Sequence, residues 1–178
     1  MGFEHPEHRI ETHPVIPEAA KKAQALLEKE AIKPELFTDL YGSDNVARDI
    51  ELVRKRREKF LGTGGEMKKY ADVLEALIYE QIGQNDWLGP NAEAIKTSQY
   101  DDYENETDIV VEFEDQQTAQ YNRLGLAVDV TFGTVEMHTK FEAIKKDIER
   151  GSLKKIKYFL SETSHIRGEL SNVPRVIV

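Results

Sequence analysis

Two apolar segments that each carry acidic residues decide the fold of this chain. They read Thr107-Asp108-Ile109-Val110-Val111-Glu112-Phe113 and Leu126-Ala127-Val128-Asp129-Val130-Thr131-Phe132. Because alternate side chains of a strand point to opposite faces, each segment predicts a strand with one apolar face and one acid-bearing face. If the strands are neighbours, Asp108 and Asp129 converge. Adjacent carboxylates raise each other's pKa, and a bound divalent cation removes that cost.

The composition restricts the class of protein. The chain has 178 residues, of which 39% are hydrophobic, and this favours a single domain with a substantial core. The sequence contains no apolar run of ~20 residues and no signal-peptide pattern, so we expect a cytoplasmic protein without membrane contact. Zero cysteines exclude disulfides and thiolate chemistry. A net charge of -9 disfavours nonspecific nucleic-acid binding without excluding a local basic face.

The patterning divides the chain into three parts. Residues 1–16 are polar, hold three of the five histidines without regular ligand spacing, and predict a flexible N-terminal arm. Residues 17–65 predict a helical N-terminal extension. Its basic run Arg54-Lys55-Arg56-Arg57 favours a solvated helix face, with binding of nucleic acid or a protein partner as the alternative. Residues 66–178 predict an α/β core.

The core contains further predicted elements on either side of the two acid-bearing strands. An amphipathic helix over 68–84 is expected to pack on the sheet, with Glu75 at the border of its apolar face. The helix near 135–150 is expected to turn Phe141, Ile144 and Ile148 inward. The remaining assignments are a strand at 94–98, a connecting turn at 101–106, and strands at 155–160 and 173–178.

This order of helices, strands and acids resembles the PD-(D/E)xK nuclease superfamily. That core is an α-β-β-β-α-β arrangement, with Asp on one strand and (Asp or Glu)-x-Lys on the next. Thr107-Asp108 matches the first element and Asp129-Val130-Thr131 the second, within a resemblance that covers residues 66–160. The phrases at 98–103, 127–132 and 157–159 also look like those of a bacterial branch in which Asp-Val-Thr replaces (Asp/Glu)-x-Lys. The resemblance implies a restriction-endonuclease-like mixed sheet flanked by helices and preceded by an N-terminal helical segment.

The resemblance also implies a function, metal-dependent phosphodiester hydrolysis of DNA or RNA. Asp108 and Asp129 would bind Mg²⁺, and Glu75 from the preceding helix would assist. In such a site the cation lowers the pKa of a water and neutralises charge growing on the phosphate, while a lysine orients the nucleophile. Motifs typical of serine hydrolases, zinc proteases and dinucleotide-binding enzymes do not occur in the sequence.

One position departs from the superfamily pattern. Thr131 stands where the lysine is expected, and a hydroxyl supplies no positive charge. Lys140 or Lys145, on the helix after the second strand, would supply a migrated lysine. The alternative is a catalytically inactive domain of the same fold that binds a protein or a nucleic acid. Two further acids, Glu112 and Asp102, compete with the assigned metal ligands.

Overall fold

A helical first half followed by strands and two further helices gives the protein a mixed α/β architecture. The computed structural model describes residues 15–60, 65–114, 126–130 and 134–178. The first half contains α1 (Val15–Glu30), a 3-10 turn (Pro34–Phe37), α2 (Thr38–Tyr41), α3 (Ser43–Phe60) and α4 (Gly65–Gln84). The second half contains β1 (Ala92–Lys96), α5 (Gln99–Asn105), β2 (Ile109–Phe113), β3 (Leu126–Asp129), α6 (Thr134–Arg150), β4 (Lys154–Ser161), β5 (Ile166–Val173) and β6 (Arg175–Ile177).

The main sheet has the strand order β1-β2-β3-β6. Strands β1, β2 and β3 are antiparallel neighbours, whereas β6 runs parallel to β3 after the α6 crossover. Ile109 pairs with Val128, and this register places Asp108 opposite Asp129. The β4–β5 hairpin forms a separate two-stranded sheet.

Both faces of the main sheet are covered by apolar contacts. On one face, Ile78 and Ile82 of α4 pack against Ile109 and Val128. On the other face, the β4–β5 hairpin covers the sheet through Ile156, Phe159 and Val173 together with Val110 and Ala127. Full burial of such side chains contributes about 1.5–3 kcal/mol each, so these two layers fix the sheet between α4 and the hairpin.

The N-terminal helices pack directly on these layers. Helix α1 contacts α4 through Ala23, Leu27 and Ala76. Phe37 and Val46 form another buried cluster with Tyr158 of β4. The predicted arm over 1–16 overlaps α1, which begins at Val15, and the rest of that arm lies outside the described residues. Among the helices described, none is long and apolar enough to cross a membrane.

The predicted turn at 101–106 is wrong, because Gln99–Asn105 form the helix α5. A reciprocal cap begins this helix: the Asp101 N–H donates to Ser98 Oγ at 3.1 Å, and the Ser98 hydroxyl donates to Asp101 Oδ2 at 2.7 Å. The Ser98 oxygen caps the helix as in a capping box, but the carboxylate of Asp101 accepts from the Ser98 hydroxyl and not from its backbone N–H. The helix ends at Glu106, which adopts the left-handed conformation with φ of 51°.

Asp101 also ties α5 to β4. Its carboxylate is fully buried and accepts hydrogen bonds from the backbone N–H groups of Lys157, at 2.7 Å, and Tyr158, at 3.0 Å. We expect Asp101→Ala to destabilise the fold by about 2–3 kcal/mol, because both N–H groups lose their acceptor in a buried site. Urea denaturation measures the loss, with the exposed Glu142→Ala as control; equal effects of the two changes would contradict this role.

Two other assignments in the core need correction. Phe141 and Ile148 of α6 are 52% and 73% exposed, although both were expected to face inward. Ile144, the third residue expected to face inward, is partly buried, and it shares the protected side of α6 with Lys140, Ala143 and Asp147. Strand β5 was not anticipated, because its polar sequence becomes a strand only through pairing with β4.

Candidate functional site

The two aspartates chosen from the sequence lie side by side where β2 begins and β3 ends. Asp108 directly precedes β2, and Asp129 is the last residue of β3. Both are buried, with 9% and 3% exposure. The Val130 N–H donates to Asp108 Oδ2 at 2.6 Å, which fixes this carboxyl group against the neighbouring strand.

Two cations hold the carboxylate of Asp129. Lys140 Nζ donates to Asp129 Oδ1 at 2.5 Å, and Arg175 Nη2 donates to Oδ2. The structure therefore brings Lys140 to Asp129, the position expected for a migrated lysine, whereas Lys145 is exposed on α6. Thr131 lies outside the described residues. Arg175 was not predicted from the sequence. The feature that could have identified it is its position as the one cation of the short strand β6, at the first residue of that strand.

A third cation, Lys96, lies on the Asp108 side of the site. It is 5% exposed at the end of β1, and strand alternation turns it with Ala94 toward α4. Its Nζ lies 2.8 Å from Glu75 Oε1, 3.5 Å from Asp102 Oδ2 and 2.9 Å from the Asp108 carbonyl oxygen. Sequence analysis missed Lys96 too, although a lysine ending the apolar run Ala94-Ile95 is an unusual core residue.

Burial and like charges shift the proton equilibria of this cluster. Burial raises the pKa of Asp108 well above its usual value, and the charges of Asp102, Glu75 and Asp129 raise it further against the opposing effect of Lys96. Burial likewise raises the pKa of Glu75, although Lys96 opposes the shift. Burial disfavours the charge of Lys96, but Asp102, Glu75 and Asp108 together raise its pKa. Lys96 is therefore the positively charged group among these acids, and Asp108 is the acid whose ionised form burial and its neighbours disfavour most.

Because of this shift in pKa, the ionised form of Asp108 is expected to lower the free energy of unfolding, by an amount that depends on pH. Its pKa is higher in the folded than in the unfolded chain, so ionisation favours unfolding as the pH rises above about 4, the unfolded pKa. We expect Asp108→Asn to stabilise the fold by about 1–2 kcal/mol near neutral pH, with a gain that shrinks toward about pH 4.

Denaturation curves of the wild type and the variant across this pH range measure the effect. The exposed Asp86→Asn serves as control and is expected to change stability by less than about 0.5 kcal/mol. A gain that is the same at every pH would contradict the proposed ionisation cost.

The two rival acids have partners of their own. Glu112 accepts hydrogen bonds from the hydroxyl groups of Ser161, at 2.5 Å, and Ser164, at 3.0 Å, so its carboxylate is bound by the β4–β5 hairpin. Asp102 lies beside Lys96. Across the ranges that the structure describes, no three His, Cys, Asp or Glu side chains are grouped so as to hold a metal ion.

The basic run of α3 is paired within the chain. Arg54 contacts Glu51 at 2.7 Å and also Glu58, whereas Arg56 contacts Glu104 at 2.6 Å. Arg57 contacts Glu28 at 3.1 Å and Lys55 contacts Glu51 at 3.5 Å. These acids balance the charge of the run, which favours the solvated-face interpretation over phosphate binding.

The fold and the site together define a mixed α/β protein with a buried cluster of acids and cations at one end of the central strands β2 and β3. Comparison with protein-family models, with curated proteins and with solved structures finds no significant match.

Proposed function

We propose that the protein is a metal-dependent phosphodiesterase that cleaves nucleic acid, with a site of the PD-(D/E)xK type. The observation that carries this proposal is the placement of Asp108 beside Asp129 on neighbouring strands, with Lys140 on Asp129. With α5 and the β4–β5 hairpin left aside, the order α4-β1-β2-β3-α6-β6, in which β3 and β6 are parallel, supports the α-β-β-β-α-β core that the sequence resemblance implies. The last strand of that core is β6, whereas the strand predicted at 155–160 belongs to the separate hairpin. The assignment of this fold to the restriction-endonuclease-like class is part of the same proposal.

The donor set suits a hard divalent cation. Asp108 and Asp129 offer the carboxylate oxygens that Mg²⁺ prefers and would hold the ion, with Glu75 assisting from α4. Asp108 is the donor whose ionised form is destabilised by burial and by neighbouring acids, and such a carboxyl group gains most from a nearby positive charge. When bound, Mg²⁺ would supply a Lewis acid and a water of lowered pKa.

The chain's own residues supply the remaining chemistry. In hydrolysis a water adds to phosphorus and a P–O bond breaks, which leaves a phosphomonoester and a hydroxyl group. Lys140, whose side chain is 29% exposed, can meet a phosphate oxygen with its ammonium while it stays near Asp129. Its charge replaces the one that Thr131 lacks. Arg175 contacts Asp129 from the other side and fixes its carboxylate.

A cleavage assay tests this function. The purified protein is incubated with single- and double-stranded DNA and with RNA, in Mg²⁺ or Mn²⁺, and with a chelator as control. We expect cleavage of at least one nucleic acid that requires the metal. Cleavage that persists unchanged in the chelator would contradict a metal-dependent mechanism.

A second candidate is a domain of this fold that binds a partner and lacks chemistry. The observation that favours it is the pairing of both Asp129 oxygens with Lys140 and Arg175. The N-terminal helices, with Leu36 and Leu40 about half exposed, would then contact a protein partner. Calorimetric titration distinguishes the two candidates: binding of Mg²⁺ or Mn²⁺ that is lost in Asp108→Asn would contradict the binding-only domain.

A further inference from the structure

Two cations contact the carboxylate of Glu106, and one of them also holds Asp129. Glu106 Oε2 lies 3.1 Å from Lys154 Nζ and 3.1 Å from Arg175 Nη1. Lys140 joins them through Asp129, whose two carboxylate oxygens accept from Lys140 Nζ and Arg175 Nη2. The three cations come from α6, β4 and β6, so three separate elements converge on the pair Glu106 and Asp129.

The anion is the member of this group that solvent reaches most easily. The side chain of Glu106 is 59% exposed, whereas those of Arg175 and Lys154 are 5% and 15% exposed. Glu106 ends α5 in the left-handed conformation, outside the regular helix. Its side chain is therefore free to rotate into water, which would leave Lys154 and Arg175 without this anion and Asp129 still bound by Lys140 and Arg175.

Arg175 has donor capacity that the fold does not use. One terminal nitrogen donates to Asp129, yet Nε and Nη1 are buried and have no hydrogen-bond partner within the described part of the chain. Glu106 offers charge to Nη1 without a well-aligned hydrogen bond. Buried guanidinium N–H groups nearly always have acceptors, so these donors indicate a place for an oxygen-rich anion.

We propose that Lys140, Lys154 and Arg175 form a binding site for a phosphate group, and that Glu106 occupies this site until the phosphate displaces it. The inference rests on the proposed function in assigning the phosphate to the backbone of a nucleic-acid substrate. A phosphate has more acceptor oxygens than a carboxylate and matches the planar fork of arginine. The site lies beside Asp129, where a substrate phosphate is needed.

Calorimetric titration with inorganic phosphate, without metal, tests the site. We expect Glu106→Gln to bind phosphate about tenfold more tightly than the wild type, as follows if Glu106 occupies the site about nine-tenths of the time. Lys154→Met, which removes one cation, is expected to weaken binding. The matched control is Glu169→Gln, which frees the neighbouring Lys155 from an exposed ion pair of 2.6 Å and should leave the affinity unchanged.

Glu106→Asn repeats the test with a residue that tolerates the left-handed conformation. Equal affinity in the wild type and in both Glu106 variants, or an equal gain in Glu169→Gln, would overturn the proposal. The readout is independent of cleavage. Phosphate binding with this mutational pattern in a protein that does not cleave would contradict the nuclease function alone, whereas cleavage without it would contradict the phosphate site alone.

Discussion

Replacing Lys96 by methionine is expected to destabilise the fold by about 3–5 kcal/mol. Lys96 is the nearest cation to Glu75, at 2.8 Å, and it also lies 3.5 Å from Asp102 and 2.9 Å from the Asp108 carbonyl oxygen. Its removal leaves buried acids without a counter-charge. Methionine fills a similar volume, so the loss reports charge rather than a cavity.

Equilibrium denaturation in urea measures this loss. The control is Lys22→Met, which breaks an exposed ion pair on α1 and is expected to cost less than about 1 kcal/mol. Adding Glu75→Gln to Lys96→Met should recover part of the stability, because it removes one of the uncompensated acids. A cost as small as that of the control would show that Lys96 does not balance the cluster.

The second large effect concerns cleavage. We expect Asp129→Asn to reduce the rate of phosphodiester cleavage by about 10²–10³-fold or more. The substitution removes a negative oxygen that the metal needs, and it also weakens the contacts that place Lys140 and Arg175. Initial rates at saturating Mn²⁺ or Mg²⁺ measure the change, after circular dichroism has shown that the variant is folded.

Glu112→Gln is the matched control for this prediction. Glu112 is also a buried acid of the main sheet, but its oxygens are bound by Ser161 and Ser164. Its replacement should leave the cleavage rate within about twofold, a change of less than about 0.5 kcal/mol in the barrier. Full activity in Asp129→Asn together with loss of activity in Glu112→Gln would contradict the role of Asp129 and assign the metal-binding role to Glu112.

Local sequence patterns predicted the elements that hold the two aspartates. Alternation identified the strands around Asp108 and Asp129, and helical spacing identified α4 and α6. The approach of Lys140 to Asp129 was also predictable, since α6 begins shortly after β3 and the connection restricts where its first turns lie. Helix α5 was missed because its acids resemble a polar turn, and only the bond between Ser98 and Asp101 shows the cap.

The other partners in the site depend on tertiary contacts. Arg175 reaches Asp129 across 46 residues, through the parallel pairing of β6 with β3, and Lys96 meets Glu75 only once β1 packs on α4. Periodicity alone also could not determine which face of α6 packs against the protein. It shows that Phe141 and Ile148 share a face, but contacts elsewhere decide which face meets the protein.

The role of Asp108 in a metal-dependent nuclease site is tested most directly by comparing cleavage of nucleic acid by the wild type and by Asp108→Asn, in Mg²⁺ or Mn²⁺. The variant is expected to be folded and more stable than the wild type, so lost activity cannot be assigned to unfolding. We expect metal-dependent cleavage by the wild type and at least about a hundredfold less by the variant. Equal rates in the two proteins, or no cleavage by the wild type of any DNA or RNA, would contradict it.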